Sequence, residues 1–247
     1  MVDSAEPRVA WVTGASSGMG LATAEALADA GYLVVLSARG LPALTEAAQR
    51  IEAQGGRAET VVLDASVRGE VEAGCAEILK RHGRIDVLVN SAGFNVANRQ
   101  WHELTVEDFD HVLAGNLNGT FYAINAVLPA MRAQRDGVIV NVASMAVKVL
   151  SPYGGVAYTV AKQGVVTLTA TVNQAEFRHG IRACALMPGE TATPIMQKRN
   201  PPPPREVLDR MLRAEDVARA IRFIVETPAH ACIYEIVMGP TWNRALA

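Results

Sequence analysis

The sequence predicts a single doubly wound α/β domain with a mostly parallel, seven-stranded sheet and helices on both faces. Three observations support this prediction. Short apolar runs alternate along the chain with longer segments of helical composition. The apolar runs are hydrophobic at successive positions, which indicates strands buried on both faces and therefore a parallel sheet covered by helices. The 247 residues contain no linker, repeat or block of like charge, so 1–247 is expected to form one domain.

The elements follow one another in a regular order. The predicted strands cover residues 9–12, 33–36, 60–63, 87–89, 138–142, 181–187 and 232–238. The predicted helices cover residues 21–30, 42–53, 67–82, 105–135, 158–178 and 215–226. Their ends carry the expected signals, since Gly31 follows the first helix and Pro42 lies in the first turn of the second. Thr105 and Asp108 have the spacing of a capping box that opens the fourth helix.

Segment 189–213 interrupts this order between the sixth strand and the last helix. It contains four consecutive prolines at 201–204, which favour an extended polyproline form and exclude a helix interior. Irregular segments of this length in compact domains are usually functional loops or disordered ones. We expect a lid over the carboxyl edge of the sheet; a passive loop and a partner-binding proline segment are the alternatives.

Composition excludes several classes of protein. Half of the residues are hydrophobic, 19% are charged and the formal net charge is −2, which argues against disorder and nucleic-acid binding. No apolar run reaches the roughly 18 residues of a membrane span, and the N-terminus lacks a signal-peptide pattern. The cysteines at 75, 184 and 232 form no C-x-x-C, which indicates reduced thiols and a cytoplasmic location. The five histidines lack metal-ligand spacing, so no metal is expected.

A glycine-rich loop follows the first strand and precedes the first helix. Gly14, Gly18 and Gly20 would allow a tight turn and a close approach of the backbone to a pyrophosphate at the helix N-terminus. The alternative is a tight turn without a ligand. At the end of the second strand there is no acidic residue for a ribose hydroxyl, and Arg39 is placed to meet a 2′-phosphate. The pattern favours NADP(H) over NAD(H), unless Arg39 is simply a solvated loop residue.

Tyr158 and Lys162 are four residues apart and would lie on one face of a helix. A neighbouring ammonium favours the phenolate, so Lys162 is expected to lower the pKa of Tyr158 and make it a proton donor and acceptor near neutral pH. A chance surface pair is the alternative.

Together these motifs resemble the short-chain dehydrogenase/reductase family along essentially the whole chain. The resemblance implies a Rossmann-type fold and hydride transfer between a nicotinamide cofactor and a carbonyl or alcohol carbon. It implies four catalytic residues, of which Tyr158 exchanges the proton and Lys162 binds the cofactor ribose. Ser144 would bind the substrate oxygen, and Asn116 would hold a water in a proton relay. The implied cofactor-binding residues are Gly14, Ser16, Ser17, Gly18, Met19, Arg39, Asp64, Ala65, Asn90, Ala92, Gly93, Tyr158, Lys162, Pro188, Gly189, Thr191 and Thr193.

The chain departs from the family pattern in several places. Ser144 precedes Tyr158 by 14 positions, one more than is common in the family, and Gly154-Gly155 is the expected site of the extra residue. Ser151 is a poorer candidate for the catalytic serine because it falls in the loop. Ser91 replaces the usual asparagine. Glu190 stands where the family often has an apolar residue, and it would meet a polar substrate or pin the lid.

The sequence therefore predicts an NADP(H)-dependent oxidoreductase that interconverts a carbonyl and a secondary alcohol. An NAD-linked alcohol or hydroxy-acid dehydrogenase, an epimerase or dehydratase, and a catalytically silent dinucleotide-binding regulator are the alternatives. The expected partner is a small-molecule substrate, with no nucleic acid or membrane. The resemblance also implies a homo-oligomer, a tetramer or dimer, built on helices 105–135 and 158–178. The expected substrate pocket contains Phe94, Val96, Val147, Tyr153 and Met196.

Overall fold

The computed structural model describes residues 7–150, 153–199 and 201–243. The strands are β1 (Val9–Thr13), β2 (Leu33–Ala38), β3 (Arg57–Val62), β4 (Val87–Asn90), β5 (Gly137–Val142), β6 (Ile181–Pro188), β7 (Thr191–Ala192), β8 (Leu212–Arg213) and β9 (Glu235–Met238). The helices are α1 (Gly18–Asp29), α2 (Leu41–Ala53), α3 (Arg68–His82), α4 (Val106–Leu113), α5 (Gly119–Gln134), α6 (Val156–Glu176), α7 (Arg205–Leu208) and α8 (Ala214–Glu226).

Seven of the strands form one sheet in the spatial order β3-β2-β1-β4-β5-β6-β9. Every neighbouring pair in this sheet is parallel, which confirms the predicted fold class. Strands β1, β4 and β5 are buried along their whole length, as their continuous apolar runs predict. No helix among the described residues is long and apolar enough to cross a bilayer.

Hydrophobic residues fill the space on both faces of the sheet. Val12 belongs to the cluster that also contains side chains of α1, α2 and α8. Its neighbour Trp11 belongs to the opposite cluster, which contains side chains of α3 and α5. Successive strand residues thus point to opposite faces, each covered by helices.

The order of the strands creates a crevice between β1 and β4. The chain moves outward from β1 to β2 and β3, and then returns to place β4 on the other side of β1. At such a reversal the loops after the two central strands diverge and leave an opening at the carboxyl edge of the sheet. The functional residues predicted from the sequence follow these strands.

The predicted helix 105–135 is interrupted. Thr105 caps α4 as expected, since its hydroxyl accepts a hydrogen bond from the Asp108 amide at 3.1 Å. Between α4 and α5 lies a single π-helical turn, Ala114–Asn118. Such turns are rare and often found at functional sites, and this one carries Asn116.

The described residues of segment 189–213 are mostly irregular and include a small second sheet. Strands β7 and β8 pair in parallel, and the Leu212 amide also donates to the Glu190 carbonyl at 3.0 Å. Pro204 adopts φ −65° and ψ 158°, the polyproline conformation that the sequence predicts. Met196 and Met211 are buried, so both ends of the segment pack against the domain.

Candidate active site

A cavity of about 810 Å³ opens at the carboxyl edge of the sheet. Its lining includes all the predicted site residues except Asn90. The side chain of Asn90 is buried and donates to Asn141 Oδ1 at 2.8 Å, and Asn141 in turn donates to Thr169 Oγ1 at 2.9 Å. Asn90 therefore joins β4 to β5 and α6, and its position does not support the predicted cofactor contact.

The glycine loop packs closely against the loop after β4. Gly14 has φ +67°, and a Cβ atom there would lie 2.7 Å from the Ala92 Cα. A Cβ on Gly20 would lie 2.3 Å from the Gly14 carbonyl oxygen. Ser17, at the start of α1, lines the cavity and makes no side-chain capping hydrogen bond. The loop thus presents backbone and a helix N-terminus to the cavity, which fits the binding of a pyrophosphate.

Arg39 and Asp64 lie together after β2 and β3. The Arg39 guanidinium is 3.9 Å from Asp64 Oδ2, and its side chain is 73% exposed. Asp64 Oδ1 accepts hydrogen bonds from the amide and hydroxyl of Ser66 at 2.8 and 2.7 Å. Burial acts to raise the pKa of Asp64, but the Ser66 hydrogen bonds and the charge of Arg39 lower it overall. Asp64 is therefore an ionised acceptor, and Arg39 keeps most of its surface open to an anion.

Ser144 and Tyr158 both line the cavity, and they are close enough for the Ser144 hydroxyl to act against the rise in the pKa of the Tyr158 phenol. The Ser144 hydroxyl also accepts from the Ala146 amide at 3.2 Å, which fixes its orientation. The additional residue between the two positions therefore does not separate them. Ser151, the poorer candidate, lies outside the described residues.

Gly155 gives the chain an unusual backbone conformation where it enters α6. Gly155 has φ +71° and ψ −179°, a backbone conformation available essentially only to glycine. The Val156 amide donates to the Arg99 carbonyl at 3.1 Å, and Asn95 Nδ2 donates to the Gly154 carbonyl at 2.8 Å. The loop after β4 thus holds the start of α6 in place; that Gly154-Gly155 accommodates an extra residue stays a prediction.

The predicted effect of Lys162 on Tyr158 is wrong for this structure. Burial raises the pKa of Tyr158, while the Ser144 hydrogen bond and the charge of Arg199 offset that rise only in part. Lys162 Nζ donates to the Val142 carbonyl at 2.8 Å and lies 5.7 Å from the centre of the Tyr158 ring. Burial lowers the pKa of Lys162 to about 8. Desolvation dominates both groups, and it favours a protonated Tyr158.

Asn116 lies beside Lys162 in the π-helical turn. Its amide nitrogen donates to the carbonyls of Phe94 and Val112 at 2.8 and 3.0 Å. Its Oδ1 is buried and has no hydrogen-bond partner among the described residues. A Cβ on Gly93 would lie 2.7 Å from this oxygen and 3.3 Å from Lys162 Nζ. The orphaned acceptor next to the ammonium fits the relay water that the sequence predicts.

The substrate side of the cavity contains charged residues that no motif indicates. Arg99 and Arg199 line it, and Arg199 Nη1 lies 2.6 Å from Glu190 Oε1. The only sequence signal is that each arginine lies in an irregular segment next to predicted site residues. Four of the predicted pocket residues line the cavity, namely Phe94, Val96, Tyr153 and Met196. Val147 does not; it packs partly buried against the small cluster between β6 and α6.

Comparisons with known proteins agree with this geometry. A family model described as short chain dehydrogenase matches residues 8–204. The chain is 39% identical over 229 residues to 2-(R)-hydroxypropyl-CoM dehydrogenase of Xanthobacter autotrophicus, covering 88% of this chain and 90% of that one. It is 36% identical over 239 residues to a 3-oxoacyl-[acyl-carrier-protein] reductase of Synechocystis, covering 96% and 94%. A metagenomic short-chain oxidoreductase solved in complex with NADP superposes with a TM-score of 0.82 at 31% identity, covering 96% and 98%.

Proposed function

Because the chain belongs to the short chain dehydrogenase family, we propose that it is an NADP(H)-dependent oxidoreductase that interconverts a ketone and a secondary alcohol. The observation that carries the proposal is that Ser144 and Tyr158 lie together in the same cavity as the glycine loop and Arg39. A proton-exchanging pair and a dinucleotide-sized cleft thus share one cavity.

The residues around the cavity fit a nicotinamide dinucleotide. Bound there, it would supply the hydride, which no side chain can provide. The phosphates would lie on Ser16, Ser17, Gly18 and Met19, beside Gly14. The adenosine would lie against Asp64, Ala65, Ala92 and Gly93, with a 2′-phosphate on Arg39. The nicotinamide would contact Pro188, Gly189, Thr191 and Thr193, and its ribose Tyr158 and Lys162.

The proton chemistry belongs to the side chains. Tyr158, kept protonated by burial, would donate its hydroxyl proton to the oxygen of a carbonyl substrate. Ser144 would donate a hydrogen bond to the same oxygen as negative charge develops on it. The orphaned Oδ1 of Asn116 would accept a hydrogen bond from a water that joins Lys162 to bulk solvent, and this water would relay the proton that replaces the one Tyr158 gives up. Reduction needs the protonated phenol, and the reverse reaction needs the phenolate.

Arg39 supports NADP(H) over NAD(H). Its side chain is 73% exposed and has only a long 3.9 Å contact to Asp64. The aligned solved structure that holds NADP has the same fold over nearly the whole chain. A bidentate contact from Arg39 to the 2′-phosphate would distinguish the two cofactors.

Three further features complete the proposal. Segment 189–213 would act as a lid, since Thr191, Thr193 and Met196 already line the cavity.

Phe121 of α5 and Val160 of α6 are half exposed, and they would be covered in a homodimer or homotetramer. The three cysteines are free thiols, as expected for a protein of the cytoplasm.

The experiment follows nicotinamide absorbance with NADPH or NADH against a panel of ketones. We expect NADPH to be consumed, with a higher kcat/KM than NADH. A strong preference for NADH would contradict the role of Arg39. Tight binding of NADPH without turnover across the panel would instead favour a silent dinucleotide-binding regulator.

A further inference from the structure

Two arginines face the substrate side of the cavity. Arg99 belongs to the loop after β4, and Arg199 follows the 3₁₀ turn Pro194–Lys198 in the segment after β7. Both line the cavity that contains Tyr158, and both are only partly exposed. Partly buried arginines in a small-molecule cleft are costly unless an anion compensates them.

Arg199 is compensated within the chain. Its guanidinium lies 2.6 Å from Glu190, and the two side chains are 20% and 15% exposed. The guanidinium also lies over the Tyr153 ring, 5.5 Å from its centre. These two contacts fix the plane of the guanidinium at the cavity wall.

Arg99 has a different set of partners. Its Nη1 donates to the Tyr153 carbonyl at 2.8 Å, and its Nε donates to the Ala97 carbonyl at 3.4 Å. Both partners are neutral, and within the described parts of the chain no carboxylate pairs with it. Since Glu190 already balances Arg199, the positive charge of Arg99 remains uncompensated.

The two guanidinium groups are close enough to influence each other. Burial lowers the pKa of Arg99, and the charge of Arg199 lowers it further. The charge of Arg199 also reaches Tyr158 and favours its phenolate. A substrate placed on Tyr158 is therefore within the field of Arg199, and Arg99 lines the same cavity.

We propose that Arg99 and Arg199 form an anion-binding subsite and that the substrate is a ketone or alcohol that carries a carboxylate, an inference that rests on the proposed function. The carbonyl oxygen would lie on Ser144 and Tyr158, and the carboxylate would bind the arginines. Planar guanidinium groups with several parallel N–H donors match carboxylate oxygens in geometry and charge. Glu190 would orient Arg199 and limit the excess of positive charge.

The test compares acids with esters of the same skeleton. With NADPH as cofactor, kcat/KM is measured for acetoacetate, levulinate and benzoylformate and for their methyl esters. For each pair the ratio of acid to ester is the readout, because a change that only damages the fold lowers both members equally. We expect the wild-type ratio to exceed one for at least one pair.

The variants separate charge from structure. Arg99→Met is expected to lower the acid-to-ester ratio by about tenfold or more, the loss of one charge-assisted hydrogen bond. Arg99→Lys should recover part of the ratio, because it restores the charge. Arg205→Met is the control for loss of an arginine elsewhere, since Arg205 lies in segment 189–213 with Arg199, is almost fully exposed and does not line the cavity. Glu190→Gln should raise the ratio, because it removes a negative charge from the subsite.

A binding measurement keeps the test independent of turnover. Thermal unfolding is followed with each acid or ester at equal ionic strength, and the acids should raise the Tm of the wild type more than that of Arg99→Met. Selective stabilisation by acids without turnover of any carbonyl would reject the proposed function and retain the subsite. Reduction of ketones with neither an acid preference nor an Arg99-dependent stabilisation by acids would overturn the subsite. An equal loss for acids and esters in Arg99→Met would also overturn it.

Discussion

Gly155 offers a direct test of the prediction that Gly154-Gly155 accommodates an extra residue before Tyr158. The change is Gly155→Ala. With φ +71° and ψ −179°, alanine would have to adopt a conformation that costs about 1–3 kcal/mol. The new Cβ would also lie 2.6 Å from the Arg99 carbonyl oxygen and 2.5 Å from its Cβ. That carbonyl already accepts from the Val156 amide at 3.1 Å, so it cannot withdraw without breaking a hydrogen bond.

Backbone strain and steric overlap together are expected to lower the free energy of unfolding by about 2–5 kcal/mol. For a domain of this size, that corresponds to a fall in Tm of roughly 5–15 °C. Activity should fall as well, by about tenfold or more, because a shift at the start of α6 moves Tyr158 away from Ser144 and positioning errors are expensive. Denaturant unfolding and kcat/KM with NADPH measure the two effects.

The matched control is Gly69→Ala. Gly69 lies in the first turn of α3 and its φ is not positive. A Cβ added there would meet no other part of the described chain within 4 Å. This variant should gain about 0.4–1 kcal/mol through a less flexible unfolded chain. Wild-type stability and activity in Gly155→Ala would refute the claim that this backbone conformation brings Ser144 and Tyr158 together.

Three further variants test separate parts of the account. Arg39→Met should raise the KM for NADPH about tenfold and leave the KM for NADH nearly unchanged. Tenfold is the low end for the loss of a charge-assisted hydrogen bond, because the Arg39 side chain is exposed. Equal effects on the KM of both cofactors would contradict this role. Lys162→Met should abolish turnover yet stabilise the protein at pH 7 by about 1–2 kcal/mol in denaturant titrations. The pKa of about 8 for Lys162 in the folded protein lies below its value in the unfolded chain, so the wild type becomes more stable as pH rises from about 8 to 10.5. The difference in stability between Lys162→Met and the wild type should therefore disappear over this pH range. Arg132→Met should lower the stability of the protein near neutral pH. Hydrogen bonds from Arg132 hold the pKa of the buried Glu176 below its usual value. The stabilisation therefore exists above about pH 4.3 and is lost as pH falls through the pKa of Glu176 in the folded protein. If Arg132→Met lost stability at acidic pH in the same way as the wild type, the result would count against a stabilising Arg132–Glu176 pair.

Much of the fold follows from local sequence. Seven apolar runs correspond to the seven strands of the main sheet, because a strand buried on both faces needs continuous hydrophobicity. The glycine loop could be located because only glycine at position 14 fits against the Ala92 backbone. The predicted ends of the elements were less accurate. The third strand begins at Arg57 and not at residue 60, and the last strand of the main sheet begins at Glu235 and not at residue 232. Edge strands have less burial to define where they start.

The features that depend on long-range contacts were not predictable. The π-helical turn places the Asn116 amide on the Phe94 carbonyl, a contact across 22 positions that no local pattern encodes. The raised pKa of Tyr158 depends on burial by the whole domain, whereas the pair spacing alone suggested the opposite direction. Arg99 and Arg199 are 100 positions apart, and only the folded lid and loop bring them to one cavity.

The most direct test of the central claim is the rate of NADPH consumption by Tyr158→Phe with a ketone that the wild type reduces. Tyr153→Phe is the matched control, because Tyr153 lines the same cavity and its ring lies under the Arg199 guanidinium. With the proton donor removed, Tyr158→Phe should lose at least about a hundredfold in kcat while still binding NADPH, since general acid catalysis contributes that much or more. Tyr153→Phe should retain most of its activity. Ordinary turnover by Tyr158→Phe would contradict the assignment of Tyr158 as the group that exchanges the proton.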